Sequence, residues 1–293
     1  MLLFLKFSIQ SIHCCYFSGI RHYSKKGEKE TDDEFLLAEY FIQKPYATVD
    51  DALSLFINDE LLHRPGSSWL YTTHGYTLLS AIIEGAVEKK QTFVELLEQL
   101  VNKELTLKNT KLEYPDGIVP NRSRYYWRKD LKKGLKHVTY VDLSYKWAGG
   151  GMLSNVTDLL VFANTLLQCQ SKDDYKDSTN KQLVTGETLQ ELWSPVMHTN
   201  RQNISYGLGW MIGNEQRSSI NELSIPRHIF HTGGAVGATS ILLIIPCPKK
   251  CLNPRCGICV AILTNLHCAE EIYRTALDIA LSFHRKLPCV TEC

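Results

Sequence analysis

The chain has 293 residues, 44% of them hydrophobic, and its 32 basic and 31 acidic side chains leave a formal net charge of +1. That balance excludes an intrinsically disordered chain and leaves no broad positive field to attract nucleic acid. A chain of this length can bury a sizeable core, and no run of 18 apolar residues offers a helix that would span a membrane.

Residues 1–17 are apolar but interrupted by Lys6, Ser8, Gln10, Ser11 and His13. Without a leading basic segment or a small-residue cleavage site, they do not read as a secretory signal. The charged stretch 24–33 reads as a linker or exposed loop. Helical periodicity is expected over 34–42 and 48–58, with Thr48 as a cap and Asp50 and Asp51 at the positive end of the helix dipole. After the Pro65-Gly66 turn, residues 75–90 predict a helix apolar on nearly every side and therefore buried. Residues 92–105 predict an amphipathic helix, with Phe93, Leu96, Leu97, Leu100 and Val101 on one stripe.

Residues 122–145 predict a β-hairpin turning at 130–134. Arg122, Arg124, Arg128, Lys129, Lys132, Lys133 and Lys136 interleave there with Tyr125, Tyr126 and Trp127. Such interleaving could serve a nucleic-acid patch, but a solvated hairpin produces the same composition, and no nucleic-acid partner is expected. Helices follow at 156–168 and 187–193. One strand is then expected over 205–213, three more at 227–234, 239–246 and 258–265, and a last helix at 268–286. That helix would turn Ile272, Ala276, Ile279, Ala280 and Phe283 inward. Helices, an antiparallel run of strands and a terminal helix give an α+β class, with helices packed over a sheet.

Seven of the ten cysteines lie after residue 246. This is not the spread framework of a small secreted domain, and it favours a reducing compartment. Cys247, Cys251, Cys256 and Cys259 fall between two predicted strands, where they could hold zinc, pair as a disulfide or remain free thiols. No cofactor is expected.

Two segments could carry chemistry. In His231-Thr232-Gly233-Gly234, at a strand end, adjacent glycines let a ligand lie against the backbone and meet its N–H groups, as an oxyanion would. In Tyr71-Thr72-Thr73-His74-Gly75-Tyr76, ahead of the buried helix, a tyrosine stands where it could pass a proton. Each alone also reads as a glycine turn or a packing tyrosine.

Together they are more specific. PGSSWLYTTHGYTLLSAIIE, YKWAGGGMLSNVTDLLVFANTLL, YGLGW and HTGGAVGATSILLIIP occur in the order found in serine beta-lactamase-like hydrolases. That family groups class C beta-lactamases with D,D-peptidases and related esterases. SGIRHY, at 18–23, resembles a family segment as well. The resemblance runs from about Ser18 to Phe283 and is strongest to the animal mitochondrial members, which implies a mitochondrial location.

The resemblance also implies roles. Tyr71 matches the tyrosine of the second box and Thr73 stands where the family usually has asparagine, a substrate contact. His231 stands where most members carry lysine. Gly234 matches the residue whose N–H helps form the oxyanion hole, and Thr232 and Gly233 shape the strand edge that binds substrate. The family's nucleophile box, S-x-x-K, is matched only by Ser178-Thr179-Asn180-Lys181, in a polar loop between the second and third boxes, and reads as coincidence. The expectation is therefore an N-terminally truncated chain. Residues 1–17 would be unrelated, 18–286 a partial beta-lactamase/transpeptidase-like domain lacking its first strands and nucleophile helix, and 287–293 a tail. The implied activity is hydrolysis of peptide or ester bonds through an acyl-enzyme, absent from the chain as it stands. The alternative is a non-catalytic binding protein that forms homo-oligomers or filaments.

Overall fold

The structure, a computed structural model, describes residues 17–24, 38–128, 134–170, 182–217, 224–247 and 256–287. The chain divides into two compact units: residues up to Ser154 together with Ala235–Gly237, and Asn155–Gly234 together with the chain from Ala238 onward.

The first unit is built on short helices. A 3-10 turn at Ala38–Phe41 precedes α1, Val49–Leu53. Thr48 caps α1 as expected: its hydroxyl accepts from the Asp51 N–H while the Asp51 carboxylate accepts from the Thr48 N–H, satisfying donors at both ends of the first turn. The buried helix is α2, Thr73–Ala86, and it starts two residues before the predicted segment. Next, α3, Phe93–Gln99, widens into a π-helical turn over Leu100–Glu104. Its predicted stripe of Phe93, Leu96, Leu97, Leu100 and Val101 is buried throughout.

Strand β1, Lys111–Leu112, pairs with β4, Met152–Leu153. The predicted hairpin at 122–145 shrinks to a two-residue ladder between β2, Tyr126–Trp127, and β3, Lys136–His137. One further bond, from the Val138 N–H to the Tyr125 carbonyl at 3.1 Å, extends the pairing; beyond it the Asp142 carboxylate accepts from the Ser144 N–H at 2.9 Å, and a 3-10 turn follows at Ser144–Lys146. A short helix α4, Trp147–Gly150, runs from that turn.

The second unit carries a six-stranded sheet. Its elements are α5, Val156–Gln168; α6, Gly186–Leu192; β5, Met197–His198; β6, Ile204–Tyr206; and β7, Met211–Gly213. A separate pair, β8, Gln216–Arg217, and β9, Ser224–Ile225, precedes β10, His228–Ala235; β11, Ala238–Pro246; and β12, Gly257–Thr264. The sheet order is β12-β11-β10-β7-β6-β5. The residues expected to form one strand over 205–213 make a hairpin instead. The Gly207 N–H donates to the Trp210 carbonyl at 2.8 Å, and Gly209 takes φ +76°, a conformation costly for any side chain. A Cβ at Gly207 would lie 2.5 Å from the Leu192 carbonyl oxygen, so glycine there admits the end of α6.

Ile241, Leu242, Leu243, Ile244 and Ile245 of β11 are all buried. Successive strand residues point to opposite faces, so β11 is covered on both. Helices α5 and the last helix, α7 (Ile272–His284), pack on β11 and β12. The inward face of α7 is Ala276, Leu277, Ala280 and Leu281, whereas Ile279 is 39% and Phe283 59% exposed. The prediction is corrected here by about one residue's rotation. Ala276 and Ala280 belong to both the expected and the observed stripe, and Leu277 and Leu281 rather than Ile279 and Phe283 complete the buried one.

Candidate functional site

In the first unit, Thr72 is the N-cap residue of α2, and three consecutive residues of the SGIRHY segment hold the start of that helix. The Thr72 hydroxyl donates to the Arg21 carbonyl at 2.7 Å. The Thr73 N–H donates to His22 Nδ1 at 3.3 Å, and the Thr73 hydroxyl donates to the Tyr23 hydroxyl at 3.3 Å. Accepting at Nδ1 requires His22 to be neutral there. Burial first, then the positive charge of its neighbours, pushes its pKa down to about 3.

Tyr71, half-buried, presents itself edge-on to the His22 ring with centroids 5.4 Å apart. Thr73 is buried, with its hydroxyl turned inward. A Cβ at Gly149 would lie 3.0 Å from Thr73 Cβ, so glycine at this position lets α4 close over the start of α2.

Beneath this segment lies a charge cluster. Arg21, 1% exposed, bonds Glu39 through both terminal nitrogens at 2.7 and 2.9 Å, and Asp59 through Nε at 2.6 Å. Burial opposes the guanidinium charge, but the two carboxylates outweigh it and hold its pKa above the ordinary value. Burial likewise pulls the Glu39 carboxyl up, and His74 and Arg21 outweigh that pull to hold it below the usual range. His74 lies 3.2 Å from Glu39, yet burial keeps its own pKa low.

In the second unit, His231 occupies β10. Its Nδ1 is 2.7 Å from the Thr232 carbonyl, which can only accept, so Nδ1 carries the proton. Burial lowers the pKa of this ring against that hydrogen bond. In the neutral ring the Nε2 lone pair accepts from the Tyr206 hydroxyl, at 3.2 Å. His228, three residues earlier, repeats the pattern, with Nδ1 2.9 Å from the Pro226 carbonyl and Nε2 2.8 Å from the Tyr273 hydroxyl.

The glycines of this strand differ. A Cβ at Gly233 would fall 2.3 Å from Ser240 Oγ on β11, whereas one at Gly234 would meet nothing within 4 Å. Ala235, the last residue of β10, and Val236, in the turn after it, line a cleft of about 350 Å³ in the first unit with Arg122, Tyr125, Tyr140 and Glu113. Glu113 is buried and ion-paired to Arg122, and it accepts from the Tyr125 hydroxyl at 3.1 Å. Burial raises its pKa against both partners.

The sequence matches the Beta-lactamase family over residues 14–280. The chain belongs to the beta-lactamase family. It is 37% identical over 275 residues to the serine beta-lactamase-like protein LACTB, mitochondrial, of Homo sapiens, covering 89% of this chain and 49% of that protein. Against the Mus musculus protein of the same name it is 36% identical, covering 89% and 48%. The chain thus spans about half the length of the curated relatives it matches. Among solved structures, the D-stereospecific amidohydrolase from Streptomyces sp. superposes with a TM-score of 0.66 at 20% identity, over 92% of this chain and 70% of that one. This last likeness concerns the fold, which is the α+β beta-lactamase/transpeptidase arrangement expected from sequence.

Within the family frame, the structure gathers Thr73 with His22 and Tyr23 in the first unit, and His231 with Thr232, Gly233 and Gly234 along β10 in the second. Sequence reasoning assigned no part to His22, Tyr23, Lys146 or Tyr206, although all four lie inside the quoted strings. The signal was a lysine and paired aromatics in otherwise apolar segments. Among the cysteines, Cys259 lies within β12 opposite Ile244 rather than in a loop, and burial pushes its thiol up to about 12. Cys251 and Ser178–Lys181 lie outside the described residues, and no group of metal-binding side chains occurs among those described.

Proposed function

We propose that the chain carries the second and third boxes of a serine hydrolase that acts on peptide or ester bonds through an acyl-enzyme. The observation that carries this reading is the strand end after His231, where Gly233 is packed against Ser240 while Gly234 faces open space. A backbone N–H fixed by a packed strand, with room beside it, is suited to the oxyanion of a tetrahedral intermediate. In this reading Tyr71 and His231 pass the proton between nucleophile and leaving group. Thr232 and Gly233 shape the substrate's edge, and Thr73 stands at the family's substrate-contact position. The likeness to mitochondrial relatives supports a mitochondrial location.

The only S-x-x-K in the sequence is Ser178-Thr179-Asn180-Lys181. Without an attacking hydroxyl at these boxes, the chain alone is expected to bind rather than turn over. That same feature supports a second reading, a non-catalytic binding or filament-forming protein. A fluorophosphonate probe separates the two. The chain as given should take no label. Supplied with a family S-x-x-K segment, it should label on that serine, with Tyr71→Phe slowing labelling on the order of 100-fold. Failure of the supplemented protein to label would leave the binding reading standing.

A further inference from the structure

The ammonium of Lys146 is buried in the first unit, with the residue 3% exposed. Its Nζ lies 5.0, 4.8 and 5.2 Å from the ring centroids of Tyr23, Tyr40 and Tyr145, and it donates to the Tyr23 hydroxyl at 2.8 Å. A cation held over aromatic faces is stabilised by their quadrupoles, and the more so where water is excluded. An ammonium has only donors, so the Tyr23 oxygen must accept from it. The same oxygen accepts from the Thr73 hydroxyl at 3.3 Å. These two bonds use the two lone pairs of a phenol oxygen, which fixes where the Thr73 hydrogen points: inward, away from any ligand at the box.

The consequence passes along the chain. Thr73 is held at its hydroxyl by Tyr23 and at its N–H by His22, with the hydroxyl also 3.5 Å from His22 Nδ1. Thr72 is tied to Arg21. Tyr71 is the next residue back and rests against the His22 ring. The Lys146 charge also bears on His22, as do those of His74 and Arg21, against the opposing carboxylate of Glu39. A neutral His22 is what allows Nδ1 to accept from Thr73.

We infer that Lys146 is a positioning residue of the second box: its caged ammonium fixes Tyr23 as an acceptor, and Tyr23 with His22 locks Thr73 and so the backbone that presents Tyr71. Thr73 is then a structural anchor rather than a substrate contact. This deepens the hydrolase reading for Tyr71 and rests on it there, but its physical content does not require turnover.

The test uses the full chain without substrate. Lys146→Met removes the charge and the donor at similar length. Tyr23→Phe keeps the ring of the cage and removes only the hydroxyl. Hydrogen exchange at the Thr73 amide should accelerate about tenfold in each variant, the scale of one lost hydrogen bond, while the Ile244 amide on β11 stays unchanged. By NMR titration, His22 protonation should move up toward its ordinary range in Lys146→Met, because a nearby cation is gone. In Tyr23→Phe, which keeps that cation, it should stay near its original place. Unchanged Thr73 exchange in Tyr23→Phe overturns the proposal even if Lys146→Met does not fold. Unmoved His22 titration in a folded Lys146→Met overturns it as well. Neither readout depends on labelling, so a failed fluorophosphonate test overturns the hydrolase reading without touching this one.

Discussion

The two units of this chain stabilise their interiors by different means. The first buries charge, with Arg21 spanning Glu39 and Asp59, and Lys146 among three tyrosine rings. The second buries hydrocarbon, with Ile229, Phe230 and Ile241–Ile245 of β10 and β11 almost fully enclosed. An apolar strand tolerates small shifts because dispersion and water exclusion have no fixed direction. A guanidinium shared by two carboxylates does not, since its donors form a rigid fork. The difference teaches where each unit can fail. The sheet is vulnerable to lost volume, and the charged interior to a lost partner or a change of protonation.

The largest break should come in the sheet. Phe230→Ala removes an aromatic ring that is 0% exposed and stacked on Tyr273 at 4.5 Å. It should cost about 3–5 kcal/mol in urea unfolding, with little dependence on salt. Next is Arg21→Met, which leaves the Glu39 and Asp59 carboxylates without their shared cation. Breaking a buried pair costs about 3–5 kcal/mol, but the partial exposure of both carboxylates lowers the expectation to about 2–3 kcal/mol. Equal losses in the two variants, or a Phe230→Ala cost below that of Arg21→Met, would break the contrast.

The smallest effect is graded. His22 is held at about 3, below its unfolded value of 6.5, so the unfolded chain binds more protons between those limits. Stability should therefore fall as pH drops from about 6.5 toward 3. Glu39, whose carboxyl is held low, adds to the loss at the acid end of that window. His22→Asn, whose side-chain oxygen can still accept from Thr73, should flatten this slope in melting temperatures measured across that window. An unchanged slope would assign acid sensitivity to the other histidines whose pKa values burial lowers, His74 of the first unit and His228, His231 and His284 of the second.

Much of the fold was legible in local pattern. The Thr48 cap, the α3 stripe and the three long strands follow from spacing alone, because caps, helix faces and apolar strands are properties of neighbouring residues. The hairpin at 205–213 was missed because Gly207 and Gly209 read as interruptions in one strand until the end of α6 required the turn. The site divides in the same way. His231, Gly233 and Gly234 stood out as a string, and so did Tyr71, but nothing local says that Gly233 must be bare for Ser240 while Gly234 faces open space.

The sequence by itself determined the α+β class, the family, and the order of the second and third boxes, because these are carried by residue types at fixed spacing. Only the tertiary structure decided what Thr73 does with its hydroxyl and where Lys146 keeps its charge. Residues 23, 73 and 146 are far apart in the chain. A hydrogen bond and a cation over a ring are decided by distance and direction, which no periodicity encodes.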